Sequence, residues 1–516
     1  MFRFRNSSKF VAFAAVLALG FGGCSANRSV LPAAGSQFSN DVRSVRGNHA
    51  RPGLALITHQ PPVGMQMAFL MTDGTVLAQT YSASTWYRYT PDSTGGYSDG
   101  TWAQVATLPA GYGPTAFASA VLADGRLAIS GGEYNTPGQY DLQLTNLGAV
   151  YDPIANTWTA IGHPKGWGWI GDSPASVLPD GRFLVGQKLT KQDAVLDPKT
   201  LHWTKLGNAG KSDFNAEEGY TLLPDGTILT ADVKNAPNSE RYNPATGQWT
   251  SAGSTMVDLH SPTNVSGCLT YGPKPKDCYF PPGEIGPAML RPDGTVFATG
   301  SSSGANGRGA GHTAIFHPSG SGGSWTVGPD FPNGDNAGDS FAALLPSGNV
   351  LVFGVSGQLY EFNGTSFTAE GGGSGTPLLL PTGQVLILGY STVGLYTPSG
   401  QPQASWLPKI TKVTKTVSRG KTYPISGTQF NGLSQAMSFG DEFQNATNYP
   451  LVRITNKATG HVFYARTHDH SSMGVATGSL IVSTNFDVPS SMETGASTLQ
   501  VVANGLASTA IAVTVK

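Results

Sequence analysis

The stretch LMTDGTVLAQT at residues 70–80 decides the fold. Two apolar runs flank Asp73-Gly74, and an Asp-Gly pair supplies the positive φ that a tight turn between two β-strands needs. The phrase returns as VLADGRLAISGG (121–132), VLPDGRFLVGQ (177–187), LLPDGTILTAD (222–232), LRPDGTVFATG (290–300), LLPSGNVLVFG (344–354) and LLLPTGQVLILG (378–389). A repeat at this period sets the architecture before any other feature is weighed.

Each of the first six phrases is followed by a short β run and then an aromatic strand, as in TWYRYTPD with TWAQV, GAVYDP with TWTAI, or TAIFHP with SWTVG. Two strands plus two strands make a four-stranded antiparallel unit. One such unit cannot bury both faces, so the units stack radially around an axis as blades. The seventh phrase leads to VGLYTP at 393–398 with no aromatic strand after it. The run GLALIT at 53–58 has no other partner. It is predicted to supply the missing outer strand and close the ring, which removes an open sheet edge.

Bulk properties agree with an all-β chain. The protein has 516 residues, with 67 glycines, only 12% charged residues and a net charge of −1. That composition argues against a coiled coil or a disordered acidic chain, and no basic footprint favours nucleic acid. A monomer is expected.

The N-terminus reads as a targeting segment. Arg3, Arg5 and Lys9 precede an apolar stretch from Phe10 to Phe21, too short to span a bilayer as a mature helix. Residues 1–23 are expected to be a signal peptide. Phe21-Gly22-Gly23-Cys24 resembles a bacterial lipobox, with Phe21 in place of the usual Leu. By that resemblance Cys24 carries lipid, and Ser25 after it directs the protein to the outer membrane. An ordinary secretory signal beside a cysteine is the alternative. Residues 24–52 look like a flexible tether. Cys268 and Cys278 are the other cysteines. In an oxidising compartment they are expected to form a disulfide rather than a metal pair, stabilising by about 2–3 kcal/mol.

The repeat stops after Gly400. Residues 403–516 carry alternating strands at sandwich spacing, beginning WLPKITKVTKT, and predict an immunoglobulin-like β-sandwich after a propeller over 53–402. Seven kelch-like blades followed by such a sandwich resemble the galactose oxidase and glyoxal oxidase group, over about residues 53–516.

The resemblance implies a copper radical site: a Tyr crosslinked to a Cys, a second Tyr followed directly by His, and a further His from a sandwich loop that plugs the axis. The family places ligands just before each innermost strand. Here those positions read Met65-Gln66, Thr115-Ala116, Asp172-Ser173, Glu217-Glu218, Glu284-Ile285, Asp339-Ser340 and Ser374-Gly375. None is a Tyr-His pair. No Cys lies in the early blades, and the plug segment Phe439-Gly440-Asp441-Glu442-Phe443-Gln444 holds no His. Copper is therefore not expected.

Carboxylates stand there instead. Asp172, Glu217, Glu218, Glu284 and Asp339 lead into blades 3 to 6 at one end of the ring, and Asp441 and Glu442 lie in the plug. They either form a funnel that binds sugar hydroxyls or a hard cation such as Ca²⁺, or they brace neighbouring blades through backbone N–H groups. Trp167 and Trp169, spaced by a glycine in the preceding loop, either stack on a sugar ring or cap a blade edge. The insertion from Ser254 to Pro282, which holds His260 and the cysteine pair, reads as a stapled lid over the funnel or as surface decoration. His468 and His470, if on an extended strand, point the same way and could join Asp172, Glu218, Glu284 and Asp339 around a divalent metal. A solvent-facing or hydrogen-bonded pair is the alternative.

The expected function is ligand binding by a non-copper relative of the family, with a carbohydrate or another extracellular ligand at the blade 3–6 end. A metal-dependent lyase or hydrolase acting on a polysaccharide, or a cell-surface platform for a protein partner, are the alternatives.

Overall fold

The structure is a computed structural model, which describes residues 54–135, 144–261, 283–304, 308–389, 391–439 and 443–516. The signal segment, Cys24, Cys268, Cys278, most of the Ser254–Pro282 insertion, Asp441 and Glu442 lie outside the described residues.

Seven antiparallel four-stranded sheets follow one another around an axis. Their innermost strands are Met65–Leu70, Ala118–Val121, Ala175–Val177, Thr221–Leu222, Ala288–Leu290, Ala342–Leu344 and Thr376–Leu379. These strands are almost wholly buried and apolar, because each is packed on both faces by neighbouring blades. The repeated phrase is the hairpin between the first and second strand of each blade. All seven turn glycines have φ between +75° and +88°. In blade 1 the Asp73 carboxylate accepts from Thr75 N at 3.0 Å and from its hydroxyl at 2.6 Å. This explains why Asp recurs before the glycine.

The ring closes between the chain's two halves. Leu54–Leu56 pairs antiparallel with Val393–Tyr396, the third strand of blade 7, with Leu54 opposite Tyr396. The aromatic fourth strands have a second task. Trp102, Trp158, Trp203 and Trp325 each donate the indole N–H to the preceding unit: to His59 O, Ala106 O, Gly162 O and Ser239 Oγ. A residue that buries a large ring and keeps a polar tip suits a joint between sheets.

The C-terminal domain is one curled sheet of nine strands closed over its own core of Ile425, Val452, Ile454, Phe486, Leu499 and Val501. The two expected layers are continuous. Val462–His468 pairs through Val462 to Ala465 with Leu451–Asn456, and through Arg466 to His468 with Val482–Asp487, so one strand belongs to both layers.

This domain sits against the turn end of the propeller. Thr467 N donates to Thr72 O in the blade 1 turn, His470 N to Ala123 O in the blade 2 turn, and Met473 N to Pro179 O in the blade 3 turn. From there a segment of the domain enters the ring and touches every blade. Asn445 Nδ2 donates to Ala68 O and Pro377 O in blades 1 and 7. Gln444 N donates to Ser119 Oγ in blade 2, and Gln435 Nε2 to Ser176 Oγ in blade 3. Leu222 N in blade 4 donates to Gln435 Oε1, and Ser434 Oγ lies 3.6 Å from Met289 Sδ in blade 5. Met437–Ser438 pairs with Ala342–Leu344 of blade 6 as an added strand. The plug carries Phe439 and Phe443, which pack on Phe341 and Phe117 with ring centroids 4.4 and 4.9 Å apart.

Candidate functional site: a carboxylate-lined mouth around one lysine

Each innermost strand runs toward the turn end, and the second strand runs back. Residues before the first strand and residues after the second therefore share the opposite end of the ring. Five carboxylates from five consecutive blades meet there electrostatically around Lys188: Glu133, Asp172, Glu217, Glu284 and Asp339. Asp172, Glu217, Glu284 and Asp339 lead into the first strands of blades 3 to 6. Glu133 and Lys188 follow the second strands Leu127–Ser130 and Phe183–Gly186.

Lys188 Nζ lies 2.6 Å from Asp172 Oδ2 and 2.9 Å from Glu217 Oε1. The lysine and Asp172 are buried, while Glu217 keeps some exposure. Backbone contacts fix the set. Lys188 N donates to Ile170 O at 2.9 Å, Glu133 N to Ala116 O at 2.9 Å, and Asp339 N to Ile285 O at 3.0 Å. Glu284 N donates to Ser261 Oγ at 2.8 Å. Asp339 has φ of +53°, which aims its side chain differently from the extended residues around it.

Burial raises three of these carboxyls. The Glu133 and Glu284 carboxyls are held well above the usual carboxylate range by desolvation and then by their acidic neighbours, against the pull of Lys188. Asp172 is raised to about 6, again by burial first, with the Lys188 ammonium opposing. Asp172 Oδ1 is buried and accepts no hydrogen bond. The end of the ring thus brings carboxyl oxygens, which accept, beside the Lys188 ammonium, which donates.

Not every candidate joins this group. Glu218 turns into the body of blade 4, where its Oε1 lies 2.9 Å from Lys211 Nζ. Consecutive side chains diverge, so Glu217 faces the axis and Glu218 the blade interior. Trp167 and Trp169 are 2% and 8% exposed, so neither presents a free face for stacking. Trp169 instead donates its indole N–H to Lys188 O at 2.9 Å and holds the lysine's backbone in place. His260 pairs with Asp258 beside blade 5. His468 and His470 lie at the turn end, on the far side of the ring from the carboxylates. Asp469 between them has φ of +55°, so the backbone is not extended and the two rings part. His468 pairs with Asp469 and Asp487 at 2.7 and 3.2 Å. His470 bonds Thr484 Oγ1 at 2.9 Å and stacks on Tyr449.

Among the described residues, only Asp213, Glu218 and Asp232 bring three ligand atoms within 4.8 Å of one another. The mouth carboxylates are more widely spread than that, so they do not make a ready cation cage. Glu133 and Lys188 were missed by reading only the residues before each first strand. The tripeptides Gly131-Gly132-Glu133 and Gly186-Gln187-Lys188, just past the second strands, carried the signal, since the hairpin returns them to the same end.

No protein-family model matches this chain, and no curated protein matches it. Many solved structures match this chain at low identity, among them the following three. A fungal alcohol oxidase of the AA5 family, in complex with copper, is 14% identical with a TM-score of 0.47, over 90% of this chain and 98% of that one. The extracellular domain of a hybrid two-component system protein from B. thetaiotaomicron is 11% identical with a TM-score of 0.45, over 80% of this chain and 51% of that one. A streptogramin B lyase is 12% identical with a TM-score of 0.44, over 68% of this chain and 99% of that one. The class defined by the chain's own fold is a seven-bladed β-propeller plugged by a C-terminal β domain.

Proposed function

We propose that this protein is an exported, lipid-anchored binding propeller that lacks a copper radical site and takes a polyhydroxylated ligand, a carbohydrate, at the carboxylate mouth. The observation that carries the reading is the cluster of five carboxylates from five blades about Lys188, with Asp172 and Glu217 in direct contact with its ammonium. A sugar hydroxyl both donates and accepts, so carboxylate oxygens beside an ammonium match a run of hydroxyls. The buried, unpartnered Asp172 Oδ1 supplies an acceptor that a ligand hydroxyl would satisfy. Export and anchoring rest on the charged-then-apolar N-terminus and Cys24. Loss of copper rests on the absence of a Tyr-His pair at the lead-in positions and of His in the plug.

The test is a glycan array with the mature protein, followed by calorimetry on Asp339→Ala. Specific glycan binding that weakens at least tenfold in the variant supports the reading. No glycan bound, or equal affinity in the variant, removes it. Trp167→Ala does not serve here, because a ring this buried reports on packing.

One observation favours a second reading, a lyase or hydrolase acting on a polysaccharide. Asp172 titrates near 6 beside an ammonium, where a general acid or base is most useful. Product release from the bound glycan, abolished in Asp172→Asn, would favour catalysis over binding alone.

A further inference from the structure

We propose that blade 4 holds a divalent cation, of the Ca²⁺ type, between Asp213, Glu218 and Asp232, at a site separate from the mouth. Asp213 lies in the loop leading into blade 4, Glu218 just before its first strand Thr221–Leu222, and Asp232 directly after its second strand Ile228–Ala231. The hairpin brings all three to one end of the blade. They are 1%, 0% and 2% exposed, and each has an oxygen within 4.8 Å of the others. Oxygens on opposite sides of Ca²⁺, at about 2.3–2.6 Å from the ion, stand roughly 4.6–5.2 Å apart. The observed span fits that shell without collapse of the site.

The second observation is unmet bonding. Both oxygens of Asp232 are buried and accept no hydrogen bond, and neither does Glu218 Oε2. A buried acceptor left without a partner is costly, and a buried carboxylate more so. Asp213 is arranged differently. Its Oδ2 accepts from Val233 N at 2.8 Å and Lys234 N at 3.0 Å, and its Oδ1 from Phe214 N at 2.9 Å. It is a fixed carboxylate against which the other two converge.

Positive charge nearby is too little. Lys211 Nζ reaches Glu218 Oε1 at 2.9 Å and Glu240 Oε2 at 3.8 Å, and it sits 3.9 Å from the centroid of the Trp249 ring. Asp193 also lies in its field. Glu218, Glu240, Asp193 and Asp232 thus share one ammonium, and Asp213 lies beside two of them. Glu240 is engaged with the backbone N–H groups of Ser212 and Asp213, and Asp193 Oδ1 with the Tyr220 hydroxyl at 2.8 Å. Asp232 and the free oxygen of Glu218 remain for a cation. Hard carboxylate oxygens with no imidazole or thiolate select Ca²⁺ over Zn²⁺.

The experiment uses the mature chain stripped with chelator and titrated with CaCl₂, read by calorimetry and thermal unfolding. Wild type is expected to bind one equivalent, with a melting temperature raised by several degrees and returned by chelator. Asp232→Asn keeps the side chain's size and removes no hydrogen bond, so it should fold. It should melt at or above the stripped wild type and lose at least tenfold in Ca²⁺ affinity. Glu284→Ala, at the mouth, should bind Ca²⁺ as wild type does. The proposal is overturned if wild type shows no uptake and no thermal shift at millimolar Ca²⁺. It is equally overturned if Asp232→Asn binds unchanged, or if Glu284→Ala rather than Asp232→Asn loses the ion.

Discussion

At the residue scale, burial decides what each ionisable group does. His470 is enclosed and uncharged. Burial, aided by the nearby His468, pushes its pKa down to about 3 from the usual 6.5. A histidine depressed in the folded state stabilises fully above its unfolded pKa and loses that contribution as pH falls toward the folded value. The loss has a slope of at most about 1.4 kcal/mol per pH unit below 6.5. Asp172 acts in the opposite sense. Its carboxyl, raised to about 6, contributes stability fully below its unfolded pKa and loses it as pH rises through 6. His470→Phe keeps a ring against Tyr449 and cannot take a proton. Denaturant unfolding at pH 6.0 and 5.0 should show wild type losing about 1 kcal/mol more than the variant between the two values. Equal losses would show that His470 is charged in the folded protein. This scale was the hardest to read in the sequence. A His-x-His pair shares a face only on extended backbone, and the left-handed turn at Asp469 breaks that. Glu217 and Glu218 are adjacent and chemically alike, yet one faces the axis and the other a blade interior. A shift of one residue in register exchanges them, and pattern alone cannot fix that.

At the scale of elements, the sequence was informative because the turn chemistry is local. Asp or Ser braces the turn, glycine takes the positive φ, and the phase of every blade follows. That phase places Asp172, Glu217, Glu284 and Asp339 at one end of the ring. Burial of Trp167 and Trp169 was not legible, since it depends on how a loop folds back on its neighbours. The turns also differ in a way the repeat hides. A Cβ at Gly74 would meet Tyr464 Cγ at 2.4 Å, because this turn receives the C-terminal domain. A Cβ at Gly294 would meet nothing within 4 Å. Gly294→Ala should therefore cost about 1–2 kcal/mol for the left-handed backbone alone. Gly74→Ala should cost about 1–3 kcal/mol more for the forced shift of the tyrosine. Equal costs in chemical denaturation would mean that the domain does not seat on that turn.

For the whole molecule, the plug is the decisive feature. A segment of the C-terminal domain bonds to all seven blades, and Tyr449 OH donates to Leu70 O beside it. Neither part can open without exposing the buried groups of the other, so heating should give one cooperative transition. Two well-resolved transitions would show that the domains melt independently. The described part of the plug seats on the inner strands from the turn end, opposite the end that carries the carboxylates. Resemblance to a family of copper enzymes predicted such a plug. The same position here presents Phe439 and Phe443 to the ring, and the blades around it present acids and a lysine. The scaffold was legible as a repeat, whereas the ligand was not, because side chains from five blades define it jointly.

The most direct measurement is calorimetric titration of the array-selected glycan into wild type and Glu284→Ala, run in parallel at pH 7. Binding by wild type, with affinity at least tenfold weaker in Glu284→Ala and an unchanged melting temperature, is the expected result. Identical affinity in the two proteins would contradict a carboxylate mouth as the binding site.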